Sequence, residues 1–390
     1  MLVLTTRSWP AIGGIEFDAT ETARYLAKER PVRMGALVND DREMTRSLQY
    51  TEVPAFAPFD AGGFEVHSIP AGSLARARLL ALRFWRGRLP HQLYHGARAL
   101  SGPVYAGALA PGIERLAQGM SLIHLFGADV LGLAALRAAR RLGIPLVMSP
   151  YAHDDWWGSD PLNRSLYRKA DAIVSLLETD AAWYRNWGVP PGRVHTVGVY
   201  RNTGEAGDLP AEIRSGAPMV LFLGIKRPYK GHHLLREAAP LVWERHPDAV
   251  FVLAGPGDEA AGPSTDPRII DIDRVTEPQK FALIQRCDIL CLPSRSEILP
   301  GVILEAWHMG KPVVTSNIAT LTELVGQGGE VCTPDALSLA SAVSSLLGDA
   351  DRRARMGEWG RRQVAEKYNR EAVSQKLEEV YRAVLGRATL

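Results

Sequence analysis

Apolar runs of strand length alternate with amphipathic stretches of helical length along most of this chain. Residues 1–6 read as a buried first strand, and a helix is predicted through Thr22-Ala23-Arg24-Tyr25-Leu26-Ala27. Strands follow in 121–127, after Gly143-Ile144-Pro145, in 219–224 and 250–254, and helices in 130–141, 233–244 and 279–285. Asp288-Ile289-Leu290-Cys291-Leu292-Pro293 is another apolar run, with Pro312-Val313-Val314-Thr315 as its β-branched successor and a short helix between them. Strand, crossover helix and strand make a parallel βαβ unit. The last third predicts three helices, in 335–347, 352–368 and 370–385. A repeating β-α alternation of this kind is an α/β fold, and ligands of such open sheets bind beyond the carboxyl ends of the strands.

The turn and helix inside 294–314 carry the densest chemistry. Glu297 precedes Gly301 at the predicted helix start, and Glu305 follows eight positions after the first carboxylate. Free N–H groups and the positive end of a helix dipole suit a phosphate near Gly301 and Val302. Eight helical steps would span about 12 Å, against roughly 5 to 9.5 Å between the carboxylates of glycosidases. The spacing therefore suits two ends of one extended ligand better than one bond.

This stretch resembles the Glu-x7-Glu motif of the retaining, nucleotide-sugar-dependent glycosyltransferases of the GT-B fold, the family-four type known as glycosyl transferases group 1. The resemblance implies two Rossmann-like domains facing across a cleft, hinged near residue 200. The expected division is an N-terminal acceptor-binding domain, 1–199, completed by a crossover helix at about 371–390, and a nucleotide-sugar-binding domain, 200–370. It implies Glu297 beside the donor sugar and Glu305 on the ribose hydroxyls. Gly13-Gly14-Ile15-Glu16 resembles the family's Gly-Gly-x-Glu loop over the donor phosphates, and His153, after the Gly143-to-Pro150 strand, stands where the family has a loop His approaching the reacting sugar. Met219 to Gly231 resembles the strand and basic loop Gly-Arg-x4-Lys-Gly, which places Lys230 on the diphosphate. Backbone near Val275 is expected to meet the nucleobase.

Two departures stand out. Ile225 occupies the usual Arg position, leaving Arg227 or Lys226 to supply that charge, and Pro300 replaces a glycine and so removes one N–H. Asp271-Ile272-Asp273 spells the Asp-x-Asp signature of metal-dependent transferases. Its place inside a GT-B-like half favours a structural role, so neither metal nor cofactor is expected, the nucleotide sugar being a substrate. The run 201–210, rich in Gly and polar residues, reads as a linker.

Composition narrows the partners. With 45 Lys and Arg against 43 Asp and Glu the formal net charge is +2, which argues against nucleic acid. One local exception is Ala75 to Arg88, which mixes Arg with Leu, Phe and Trp and could rest on an anionic membrane surface, line an acceptor groove or cover a core face. Three cysteines without metal spacing read as reduced thiols, and no signal or spanning segment is apparent. A cytoplasmic enzyme follows, peripheral to the inner membrane face if the acceptor is lipid-linked. The acceptor is expected to be a sugar, a lipid-linked sugar or a small molecule. A sugar epimerase on the same fold and a catalytically silent nucleotide-sugar binder are the alternatives. A nicotinamide dehydrogenase would need Gly-x-Gly-x-x-Gly after an opening strand, and neither opening strand carries it.

Overall fold

The computed structural model describes residues 1–8, 13–39, 56–72, 94–154, 156–213, 216–257, 264 and 266–388. The chain forms two compact units, Met1–Val197 with Ser374–Leu390, and Gly198–Val373. Ala75 to Arg88 lies outside the described residues.

In the first unit the elements are β1 (Leu2–Arg7), α1 (Gly14–Leu26), β2 (Arg33–Val38), β3 (Phe59–Asp60), β4 (Glu65–Ser68), α2 (Tyr94–Leu116), β5 (Ile123–Phe126), α3 (Asp129–Leu142), β6 (Leu146–Ser149), α4 (Pro161–Lys169), β7 (Ala172–Ser175), α5 (Glu178–Asn186) and β8 (Val194–Thr196). The sheet order is β3-β4-β2-β1-β5-β6-β7-β8, parallel throughout except for the β3–β4 edge pair. Strands buried on both faces explain the continuous apolar runs of β1, β5 and β6. Helix α2 contains Pro103 and Pro111 and still runs for 23 residues. Proline in a helix interior costs a hydrogen bond, and tertiary packing offsets it: Tyr105, Leu109 and Ile113 form a buried stripe, and α2 packs along α3.

The second unit comprises β9 (Met219–Leu223), α6 (His232–Trp243), β10 (Val250–Ala254), β11 (Ile269–Ile272), α7 (Glu277–Arg286), β12 (Ile289–Leu292), α8 (Gly301–His308), β13 (Val313–Ser316), α9 (Ala319–Val325), β14 (Gly329–Cys332), α10 (Ala336–Leu347) and α11 (Ala350–Glu366). A final helix, α12 (Arg370–Ala388), belongs to the first unit from Ser374 onward. The second sheet is wholly parallel, in the order β11-β10-β9-β12-β13-β14. That is the doubly wound dinucleotide-fold order, in which the strand sequence reverses between β9 and β12. The loops leaving those two strands therefore diverge, and a crevice opens where they part. Residues 201–210, read above as a linker, lie on this unit, because Gly204 packs on the Phe281 ring and the Gly207 amide donates to Pro278 O at 3.0 Å.

Candidate functional site

Loop 224–231 leaves β9 at the reversal point. Lys226 turns inward, with Nζ 3.3 Å from Asp271 Oδ1 and 3.2 Å from Ile272 O, and Arg236 of α6 holds the other oxygen of Asp271. Lys226 is thereby committed to the fold, whereas Arg227 is exposed and Ile225 is 47% exposed. Asp271 is occupied by these two cations, and Asp273 is exposed, which fits the structural role expected of the Asp-x-Asp run. The loop ends at Gly231 with φ +74°, where a side chain would strike Pro293 O at 2.2 Å, so only glycine lets it touch the chain leaving β12. The Arg295 amide donates to Tyr229 O at 2.7 Å and ties the same two loops.

Across this seam Lys230 Nζ lies 2.5 Å from Glu297 Oε1, with side chains 20% and 8% exposed. Burial alone would lower the lysine pKa, but the Glu297 charge and hydrogen bond outweigh it and raise the value above the ordinary lysine range. Thr320 of α9 donates to Glu297 O at 2.7 Å, fixing the loop from below.

Helix α8 starts at Gly301 after the Pro300 N-cap, so its first free amides are those of Gly301 and Val302. Its apolar face buries Ile303, Leu304 and Trp307, while Glu305 sits nearly buried. Burial raises the Glu305 pKa, against the lowering pull of Lys280, whose Nζ is 2.9 Å from Oε1, and of Arg201. Lys280 also pairs with Glu277 at 2.7 Å. Val275 immediately precedes Thr276, the N-cap of α7, and is partly exposed.

Lys280 and Arg201 escaped the sequence reading. Lys280 stands 25 residues from Glu305, on another helix, and no local spacing announces the pair. Arg201 sat in an apparent linker, where only a lone cation before polar and Gly residues marked it.

The first unit holds the remaining candidates. Gly13 precedes α1 and Gly14 opens it; Glu16, nearly buried, takes Arg7 of β1 at 2.7 Å over the Gly13 backbone. Tyr151, after β6 and with φ +55°, donates to Asp18 of α1 at 2.8 Å. His153 follows in the same loop, partly exposed, its ring edge on Trp156 at 5.2 Å and its amide bonded to Trp157 O. His124 lies within β5, fully buried, with Tyr381 Oη at 2.7 Å and Ser149 Oγ at 2.9 Å. Burial pushes its pKa down to about 3. It is a neutral structural histidine.

Arg227, Lys230, Val275, Glu297, Gly301, Val302 and Glu305 thus belong to one unit, and Gly13, Gly14 and His153 to the other. Comparisons with known proteins match this division. Residues 217–349 match the model of glycosyl transferases group 1, and 13–199 that of the glycosyl transferase 4-like domain. Alpha-D-kanosaminyltransferase of Streptomyces kanamyceticus is 30% identical over 302 residues, 67% of this chain and 76% of its own. Other curated relatives are matched over 183 residues at 34% identity, so that the chain spans 44% of their length. Among solved structures, sucrose-phosphate synthase from Thermosynechococcus elongatus aligns over 99% of both chains with a TM-score of 0.72 at 17% identity. Anabaena HepE in complex with UDP-glucose aligns over 98% of this chain and 100% of its own, with a TM-score of 0.67 at 17% identity. These structures share its GT-B fold, and by sequence this chain belongs to the group 1 glycosyltransferases.

Proposed function

We propose that the chain transfers a sugar from a nucleoside diphosphate sugar to an acceptor hydroxyl with retention of anomeric configuration. The observation that carries this reading is the Lys230–Glu297 pair at the β9/β12 reversal, with Glu305 in the helix that follows. Lys230 meets the departing diphosphate, and Glu297, released from part of its pairing, turns its carboxylate to donor sugar hydroxyls. Arg227 and the amides of Gly301 and Val302 take further phosphate charge, a role filled elsewhere by a divalent ion. Glu305 accepts from the ribose hydroxyls, Lys280 keeps it oriented, and the backbone at Val275 meets the base.

His153 is assigned to the reacting sugar, and the Gly13-Gly14 turn to the donor phosphates and the acceptor entrance. Retention requires the acceptor hydroxyl to arrive on the face from which the diphosphate leaves. The complex of Anabaena HepE with UDP-glucose supports a UDP-hexose donor. Cys287, Cys291 and Cys332 are free thiols, which is the state expected in a reducing, cytoplasmic setting. No helix among the described residues is long and apolar enough to cross a membrane.

The test is incubation with pooled nucleotide sugars, with and without acceptor sugars, and mass spectrometry of the products. Release of one nucleoside diphosphate together with a glycosylated product is the expected result. An epimerised sugar would replace transfer by epimerisation, and binding without any product would leave a silent binder.

A further inference from the structure

Lys280 of α7 carries a charge that the second unit surrounds closely. Its Nζ lies 2.9 Å from Glu305 Oε1, 2.7 Å from Glu277 Oε2 and 4.5 Å from the centre of the Phe281 ring. An ammonium has three N–H groups, and here two carboxylates and a ring are set around them. The lysine side chain is 15% exposed and that of Glu305 11%, whereas Glu277 is 74% exposed. Water therefore weakens the pairing with Glu277. The pairing with Glu305 is the one that burial strengthens.

Glu305 depends on that partner. A carboxylate so far out of water takes up a proton unless a cation or hydrogen-bond donors hold its charge. Burial is the strongest influence on it and raises its pKa, while Lys280 pulls hardest the other way, followed by Arg201, and Glu277 adds to the rise. These three are the charged groups that act on Glu305 from α7 and from the stretch before β9. No second hydrogen bond to its carboxylate is made among the described residues, so Oε2 is the oxygen left for a hydroxyl.

Helix α7 adds a second link. It opens with the capping box of Thr276 and Gln279, Lys280 follows directly, and Val275 immediately precedes the cap. The segment assigned to the base and the cation on the ribose carboxylate thus share one helix start.

We infer that Lys280 is a positioning residue for the nucleoside: it keeps Glu305 a carboxylate at neutral pH, takes one of its oxygens and so leaves the other to the ribose hydroxyls, from the same helix start that meets the base. The inference rests on the donor-site reading above. Lys280 acts on the donor only through Glu305.

Calorimetric titration of the wild type with UDP, GDP, ADP and dTDP identifies the nucleotide that binds. Its analogue without ribose hydroxyls is titrated beside it from about pH 5 to about pH 8, the range in which a carboxylate raised by burial gains its proton. The ratio of the two affinities isolates the hydroxyl contact, because the titration of the diphosphate is common to both. In the wild type the nucleotide should bind better than the analogue, and this advantage should fade in acid. Lys280→Met is expected to cut the advantage roughly 10-fold, within the worth of a charge-assisted hydrogen bond. It should leave the analogue unchanged and move the fading to higher pH, a shift that a merely structural role would not produce. Lys280→Arg should restore part of the advantage, and Lys280→Gln is read in the same way as Lys280→Met if the latter melts early. No loss, a loss shared equally by the analogue, or fading at the wild-type pH would overturn the inference and leave the donor site standing. A wild type without the advantage would overturn the ribose role of Glu305, and one that binds none of the four diphosphates would overturn the donor-site reading itself.

Discussion

Each unit places a basic-acidic pair beside the carboxyl end of its first strand, and the two pairs are built differently. In the first unit Arg7 and Glu16 are nine residues apart and close within the single turn from β1 to α1. In the second, Lys230 and Glu297 are 67 residues apart and join the loop after β9 to the loop after β12. A pair inside one turn pins that turn. A pair across the reversal point bridges the crevice itself, so an arriving anion can compete for the lysine. The same charges thus serve as a fastener in one unit and as an exchangeable contact in the other.

The sharpest test of that contrast removes one cation. Lys230→Ala is expected to lower kcat by roughly 10² to 10³, as when one preorganised electrostatic donor is lost. An effect confined to acceptor KM would remove Lys230 from the donor site. Glu305→Gln comes next: donor affinity by calorimetry should fall by roughly 10- to 100-fold, the worth of a charge-assisted hydrogen bond, with the fold intact. Unchanged affinity would dismiss the ribose contact.

Acid should then separate the units. His124 is buried neutral with its pKa near 3, so between its ordinary 6.5 and that value the unfolded chain binds a proton that the folded unit refuses. The first unit therefore loses about 1.4 kcal/mol per pH unit over that window as pH falls. Glu305 has the opposite sign. Its pKa is raised by burial, so as pH falls the folded second unit takes up this proton before the unfolded chain does, and acid stabilises that unit through Glu305. The same protonation removes the carboxylate proposed to hold the ribose. Donor affinity should fall with acid in the wild type, and this acid dependence should be lost in Glu305→Gln. Melting of the two units at identical pH midpoints would contradict the assignment of His124.

The smallest effect on kcat is expected at the fastener. Glu16→Gln should cost roughly 1.5 to 3 kcal/mol of stability and change kcat by less than about tenfold, since no transition-state contact is removed. A loss on the scale of Lys230→Ala would show that both pairs do the same work.

Much of this was legible in the chain because it is local. Strand and helix alternate with their own periods, and Lys230, Glu297 and Glu305 each sit in a short segment whose spacing is unaltered by the fold. What escaped is non-local or contrary to propensity. The α2 helix hid behind Pro103 and Pro111, although Tyr105, Leu109 and Ile113 recur at helical spacing. Lys226 and Arg227 are equivalent cations in sequence. Only burial against Asp271 tells them apart. Lys280 and Arg201 gain meaning from partners on other elements, which no window along the chain brings into view.

The last helix sets an order on the making of the molecule. His124 in β5 finds one of its two partners in Tyr381 of α12, Arg30 pairs with Glu378 at 2.7 Å, and Arg387 donates to Gly192 O. A ribosome delivering the chain from its amino end has therefore exposed the whole second unit before the first can be completed. Until then one ring nitrogen of a buried histidine lacks its acceptor or donor, and the surface later covered by α12 stays open to solvent and to other chains. The unit whose strands emerge first is the one that finishes last.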